Sequence, residues 1–355
     1  MLGVLHLHPP HCDFQTRRCL ELLLKTVGSE LAMTSRSIGP GGNYQNLPEA
    51  IFRLRGVRRD QACIAHAWGP AQLAAAAAAG FPRLVFSPQA GIHPKWWRWI
   101  ELILRNRDVE IVCPTQFVRR MFISHGASAA RCQVVSPAVD AGRLNGADPG
   151  IRARLGFSKT DLVLLAPGES SREASHRSAL WAAAILNFLD PRYRLLIWGR
   201  GPMVGSLRRL ARAISTEALM VLAEPAIGGE IDFEQIVSAA DIALFCARDP
   251  SPILPQGVCL FAGLPVVASE SAETREFVQD DVSGLVEPSL NPRRLAQRVR
   301  TLQNDPRLRQ KLARAARSVG VARFSADRFA ADWRQVYSRV SGSDASRPMA
   351  PLVAF

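Results

Sequence analysis

Twelve short apolar runs, most of them separated by helix-length segments, constrain this chain more than any other feature. In the first half they fall at 1–7, 30–34, 62–67, 83–86, 109–113 and 132–136. In the second half they fall at 162–166, 193–198, 218–222, 242–245, 265–268 and 284–286. Apolar runs this short, bounded by turn formers, suit strands buried on both faces, as in parallel sheets. Segments such as 178–188 and 293–302 have the length and pattern of the helices between them. Strand–helix alternation along both halves predicts two doubly wound α/β domains, and 355 residues are more than one core usually organises. Pro137, Asp140, Gly142, Asn145, Gly146, Pro149 and Gly150 crowd a stretch that reads as a linker near 140–154. The expected division is a first domain over 1–150, a second over 151–340, and a frayed tail over 341–355. Open α/β sheets bind ligands at the carboxyl ends of their strands, so two such domains make a cleft with one substrate on each wall.

Charge narrows the partners. The chain carries +13 at pH 7, yet only four of its 44 basic residues are lysines: Lys25, Lys95, Lys159 and Lys311. Such a balance attracts anions: a phosphorylated small molecule, an acidic lipid surface or nucleic acid. No zinc finger, RNP-like motif or KH loop accompanies the charge, so nucleic acid is not expected. The seven cysteines are scattered and include no CxxC pair, which argues against a disulfide framework or zinc site and for a reducing cytoplasm. No window has the apolar length of a membrane span, and the first residues read as a strand rather than a signal peptide.

The most informative stretch runs from Ala240 to Pro288. It contains Ala240–Asp241–Ile242, then Gly263–Leu264–Pro265–Val266–Val267–Ala268–Ser269, then Glu276–Phe277–Val278, Asp280 and Gly284–Leu285–Val286. In order and spacing this resembles the retaining family 4 (group 1) glycosyltransferases of GT-B fold. Supporting phrases are Gly168 after the first strand of the second half, and Trp198–Gly199–Arg200–Gly201–Pro202 after the next. Others are Pro114–Thr115–Gln116–Phe117–Val118, Val134–Val135–Ser136–Pro137–Ala138–Val139–Asp140, and Phe324–Ser325 with Tyr337.

The resemblance implies two Rossmann-like domains facing across a cleft, with the acceptor on the first and a nucleotide-diphosphate sugar on the second. It implies transfer with retention to a glycan or lipid-linked acceptor. A degenerate, non-catalytic protein of the same fold that binds a partner or carbohydrate is the alternative, and a sugar-nucleotide epimerase a further one. No D-x-D triplet occurs, so no metal is expected, and no cofactor beyond the donor itself.

Departures from the family pattern bear on the site. The family's two glutamates, counted back from Gly263, fall on Pro250 and Val258, leaving Asp249 and Gln256 as substitutes. Its diphosphate-binding Arg and Lys fall on Glu169 and on Ala174 or Ser175, leaving Arg172 as the nearest cation, with His176 and Arg177 as helpers. The implied donor residues are therefore Gly168, Arg172, Gly199, Gly201, Asp249, Gln256 and Glu276. A histidine that in the family touches the transferred sugar has its nearest counterpart in His93. His66 and Trp68, at a strand end, read as core packing. Finally, Lys95–Trp96–Trp97–Arg98–Trp99 opens a helix whose only polar stripe is Arg98, Glu101 and Arg105. Such a face suits either an anionic membrane surface at the cytoplasmic side or burial against the first domain or a second copy.

Overall fold

The computed structural model describes residues 3–58, 63–89 and 91–342. Of the tail expected over 341–355, Ser341 ends the last helix and residues 343–355 lie outside the described residues. Two six-stranded sheets, parallel throughout, follow one another along the chain. The first runs β2-β1-β3-β4-β5-β6, from β1 (Gly3–His8), β2 (Ala32–Ser37), β3 (Cys63–Ala67), β4 (Arg83–Phe86), β5 (Val109–Cys113) and β6 (Cys132–Val134). The second runs β12-β11-β10-β7-β8-β9, from β7 (Leu162–Ala166), β8 (Tyr193–Ile197), β9 (Met220–Leu222), β10 (Ile242–Phe245), β11 (Val266–Ser269) and β12 (Leu285–Glu287). Central strands are buried along nearly their whole length, and these are the ones whose apolar runs are clearest. The second strand starts two residues later than expected because β2 is an edge strand, exposed on alternate residues, so its boundaries lack a continuous apolar run.

Helices cross between the strands. Around the first sheet lie α1 (Phe14–Thr26), α2 (Leu47–Arg58), α3 (Pro70–Ala79), α4 (Pro94–Asn106) and α5 (Gln116–Ser124). The short α6 (Ala141–Asn145) and α7 (Ile151–Arg154) occupy the passage to the second sheet. There follow α8 (His176–Leu189), α9 (Val204–Ala213), α10 (Ala223–Ile227), α11 (Phe233–Val237), α12 (Leu254–Ala262), α13 (Pro292–Asn304), α14 (Pro306–Phe324) and α15 (Ala326–Ser341). Each sheet has an apolar core on both faces. Two details decide how the halves meet. Helix α15 lays Phe329, Trp333 and Tyr337 into a core cluster with Val4, Ile64 and Val112 of the first sheet. His66 joins it fully buried, with Nδ1 2.8 Å from the Tyr337 hydroxyl and Nε2 2.8 Å from Ser87 Oγ. The chain thus returns to its beginning.

Candidate functional site

Loops leaving the carboxyl ends of strands in both sheets meet in the seam between them. Gln15, buried near the start of α1, ties three together. Its Nε2 donates to the Gln89 carbonyl at 2.6 Å, and its Oε1 accepts from the Leu254 N–H at 2.7 Å. A cavity opens here, with Asp13 and Phe14 on the first wall and Gly168, Glu169, Ser251 and Gln256 on the second. Its free volume is about 60 Å³, against roughly 300 Å³ or more for small-molecule sites.

The first wall is built at the amino end of α1. Asp13 caps the helix, accepting from Thr16 N–H at 3.0 Å and from the Thr16 hydroxyl at 2.7 Å. Phe14 crosses the seam: its ring stands edge-on to Trp198 at 5.1 Å and to Phe233 at 5.6 Å, inside the core of the second half. One turn on, the Arg18 guanidinium lies against Glu234 at 2.9 and 3.1 Å and Asp232 at 2.7 Å. Burial opposes the ionisation of Asp232, but the charges of Arg18 and Arg143 outweigh it and hold the carboxyl below its usual range.

On the second wall, Gly168 lies in the loop after β7 with φ +86°, and a Cβ there would stand 3.1 Å from Pro255. Glu169 follows it into the cavity. Burial, then the neighbouring Asp13 carboxylate, push Glu169 upward, while the Phe14 N–H, Arg17 and Arg200 act the other way. Two carboxylates thus face this cavity, which repels a diphosphate. The cations stand next door. At the amino end of α8 a recess of about 290 Å³ is bordered by Arg172, Arg177 and Arg248 together with Ser171, Ser175 and Ser178. None of the three arginines pairs with a carboxylate among the described residues. His176 fixes this corner from inside, with Nδ1 2.9 Å from Ser170 Oγ and Nε2 3.1 Å from the Pro167 carbonyl. Burial pulls its pKa down to about 4, so the imidazole is neutral near pH 7. The recess is an anion site in its chemistry: unpaired guanidinium groups, hydroxyls and free helix amides.

The structure separates the residues singled out by sequence. Gly168 and Gln256 line the cavity, and Arg172 borders the recess. Gly199 and Gly201 form the turn after β8. A Cβ on Gly201 would come within 2.6 Å of Ser170, so the glycine lets that turn pack against the β7 loop. Three others lie away from both hollows. Asp249 turns toward the β11 loop, where it accepts from Ala272 N–H at 2.5 Å and Glu273 N–H at 3.2 Å. Glu276 accepts from the Gln116 and Phe117 N–H groups, both at 2.9 Å, and so caps α5 across the seam. His93 is exposed and caps α4, its Nδ1 accepting from Lys95 N–H at 3.3 Å. None of these three lines the cavity or the recess.

Sequence reasoning missed Glu273. This buried carboxylate accepts from Ser251 N–H at 2.7 Å and from the Thr115 hydroxyl of the first half at 3.0 Å. Burial pushes it up to about 8; those two donors oppose the rise, and Asp249 and Glu276 add to it. On α4 the packing alternative accounts for two of the three indoles. Trp96 and Trp97 pack against the first core, and Trp97 stacks on His125 at 3.8 Å. Of the three indoles only Trp99 stands well exposed, at 59%.

Comparison with known proteins decides the family. Residues 148–319 match the model of the glycosyl transferases group 1, and residues 27–143 match that of glycosyltransferase family 4. The chain belongs to this glycosyltransferase family. Among curated relatives, the putative glycosyltransferase EpsD of Bacillus subtilis (strain 168) is 24% identical over 219 residues, 62% of this chain and 54% of that protein. The D-inositol 3-phosphate glycosyltransferase of Thermomonospora curvata is 28% identical over 240 residues, 62% of this chain and 55% of that one. The matched region thus spans about half the length of these relatives. Anabaena Alr3699/HepE, solved in complex with UDP and glucose, superposes with TM-score 0.76 at 17% identity, covering 94% of this chain and 99% of that one. Sucrose-phosphate synthase from Thermosynechococcus elongatus gives 0.79 at 15%, covering 97% and 100%. At such identities the superpositions establish the GT-B fold. Among the described residues no helix is long and apolar enough to cross a membrane.

Proposed function

We propose that this glycosyltransferase moves a sugar from a nucleoside diphosphate donor to a glycan or lipid-linked acceptor at the cytoplasmic side, with retention and without a metal. The observation that carries the reading is the arginine-bordered recess at the amino end of α8, opening beside a cavity between the two walls. In the reaction the acceptor oxygen bonds the anomeric carbon as the bond to the diphosphate breaks, and its proton leaves with the phosphate oxygen. The protein's part is to hold the growing diphosphate charge with Arg172, Arg177, Arg248 and the first amides of α8. Gln256 and the Gly168 turn would meet the sugar. Because the cavity is small and bordered by both halves, the donor enters when the walls part and is enclosed when they meet, which keeps water from competing with the acceptor.

HepE was solved with UDP and glucose, so UDP-glucose is the first donor to try, followed by GDP and TDP sugars. Calorimetry should show binding of at least one nucleotide sugar, unchanged by EDTA. Product analysis by NMR should then show the donor's anomeric configuration kept. No heat with any nucleotide sugar, or activity that EDTA abolishes and Mn²⁺ restores, contradicts the proposal.

A further inference from the structure

Helices α9, α8 and α13 cover one face of the second sheet, with α8 touching both of the others. Neither these three nor α14, which continues from α13, contains an aspartate or glutamate, while together they hold thirteen arginines and one lysine. The chain as a whole has 31 acidic residues in 355. At that density helices of 14, 10, 13 and 19 residues would hold about five. A genome rich in arginine codons explains many arginines but not the missing carboxylates.

The apolar pattern of α8 is the second observation. Its inner face buries Ala179, Leu180, Ala183 and Leu186. Outward, Trp181, Ile185 and Phe188 repeat at i, i+4 and i+7 along one stripe, with Leu189 beside its end. Phe188 is 90% exposed, Leu189 56% and Trp181 42%, while Ile185 is half-buried. The flanking helices turn Arg208, Arg209 and Arg212, and Arg293, Arg294 and Arg300, to solvent. None of these six meets a carboxylate among the described residues. Of the acids in the connecting turns, Asp190 pairs with Arg192 at 2.7 Å, Asp305 caps α14, and Glu217 is exposed after α9.

We infer that this face of the second half docks reversibly on an acidic lipid bilayer. Trp181, Phe188 and Leu189 would enter the headgroup boundary, and the arginines on either side would meet lipid phosphates. Acidic lipid is favoured over nucleic acid because the apolar side chains share one helix face with arginines flanking it, as in an interfacial helix, rather than alternating with cations along a groove that tracks a strand. The inference is independent of the transferase reading, since it uses neither the cavity nor the recess.

The test is sedimentation with phosphatidylcholine vesicles, alone and with about a third phosphatidylglycerol, at low and high salt. Binding should be at least about tenfold tighter to the acidic vesicles and should weaken in high salt. Phe188→Ser/Leu189→Ser should lose about tenfold or more in affinity, and Arg208→Glu/Arg209→Glu should blunt the salt dependence, each with an unchanged melting temperature because the altered side chains are exposed. Trp99→Ser/Leu102→Ser on α4 should leave binding as it was. Equal binding to both vesicle types overturns the inference. So does loss in the α4 variant but not in the α8 variant, or tighter binding to an RNA oligonucleotide than to acidic vesicles.

Discussion

The seam between the halves is held differently at its two ends. At one end, α1 sends Phe14 into the second core and follows it with Arg18 against Glu234 and Asp232. At the other, the second half sends Glu273 and Glu276 to Thr115 and the first amides of α5. The first end is an aromatic plug with a compensated buried ion pair. The second is a buried acid and a half-buried one, both hydrogen-bonded to a helix terminus. Their pH responses have opposite signs. Asp232 is held below its usual range, so its contribution is present near neutral pH and lost in acid. Glu273 is raised to about 8, so its contribution is full below the carboxylate range and lost as pH rises toward 8. The ion pairs of the plug end are therefore intact near neutral pH, whereas the contribution of Glu273 at the acid end has weakened there.

The largest effects should come from the plug. Phe14→Ala removes a ring from the core of the opposite half and should cost about 3–5 kcal/mol. Arg18→Ala leaves Glu234, almost fully buried, without its cation and should cost a similar 3–5 kcal/mol. Urea unfolding followed by tryptophan fluorescence measures both. If the second half melts at the same denaturant concentration in Phe14→Ala as in wild type, the plug does not couple the halves.

Donor binding should separate the ends next. The arginine recess adjoins the plug end, whereas the cations acting on Glu276 are Arg120 and Arg323. Arg172→Ala should weaken nucleoside diphosphate binding by about 1.5–3 kcal/mol, the worth of a charge-assisted hydrogen bond. Arg120→Ala should change it little. Calorimetry showing equal losses would place the diphosphate across the seam rather than at α8.

Much of the fold was legible because buried parallel strands write themselves as apolar runs. Gly263 closes α12 in a left-handed cap and Pro265 leads into β11, so that phrase carries its own geometry. The seam was not legible. Arg18 and Glu234 lie 216 positions apart, and no local period announces such a pair. Register alone points to Asp249 and Gln256 alike, but only Gln256 sits on the helix whose start faces the cavity, whereas Asp249 precedes it and turns to cap the β11 loop. Three indoles drew the eye to α4, yet packing takes two of them. The exposure of Phe188 was not legible in the segment 178–188, because a helical pattern alone does not say which stripe of α8 meets the sheet.

The acid end should show a smaller effect, and its sign is diagnostic. Glu273→Gln keeps the shape of the side chain and removes the titration. Between about pH 5 and 8 the unfolded chain gives up this proton before the folded one does, so wild-type stability should fall with pH across that window. The Gln variant should lack that fall. Melting curves at several pH values read this directly. Parallel curves for the two proteins would mean that Glu273 is ionised in the seam and that Thr115 and Ser251 hold it as a carboxylate.

The smallest effect belongs to Arg143, and it marks where the plug end stops. Arg143 reaches Asp232 at 2.8 Å and Glu21 at 3.3 Å, but all three side chains are about two-fifths exposed. Ion pairs in that setting are worth no more than about 1 kcal/mol, because water already solvates both charges and salt screens them. Arg143→Ala should therefore lower stability by about 0.5 kcal/mol at low salt and by less at high salt. Arg18→Ala should stay costly under both conditions, since Glu234 remains shielded from water whatever the salt. Denaturation of both variants at two ionic strengths tests this. If Arg143→Ala matched Arg18→Ala and kept its cost in salt, the network would act as one unit, and the plug would extend from Phe14 to the start of α6.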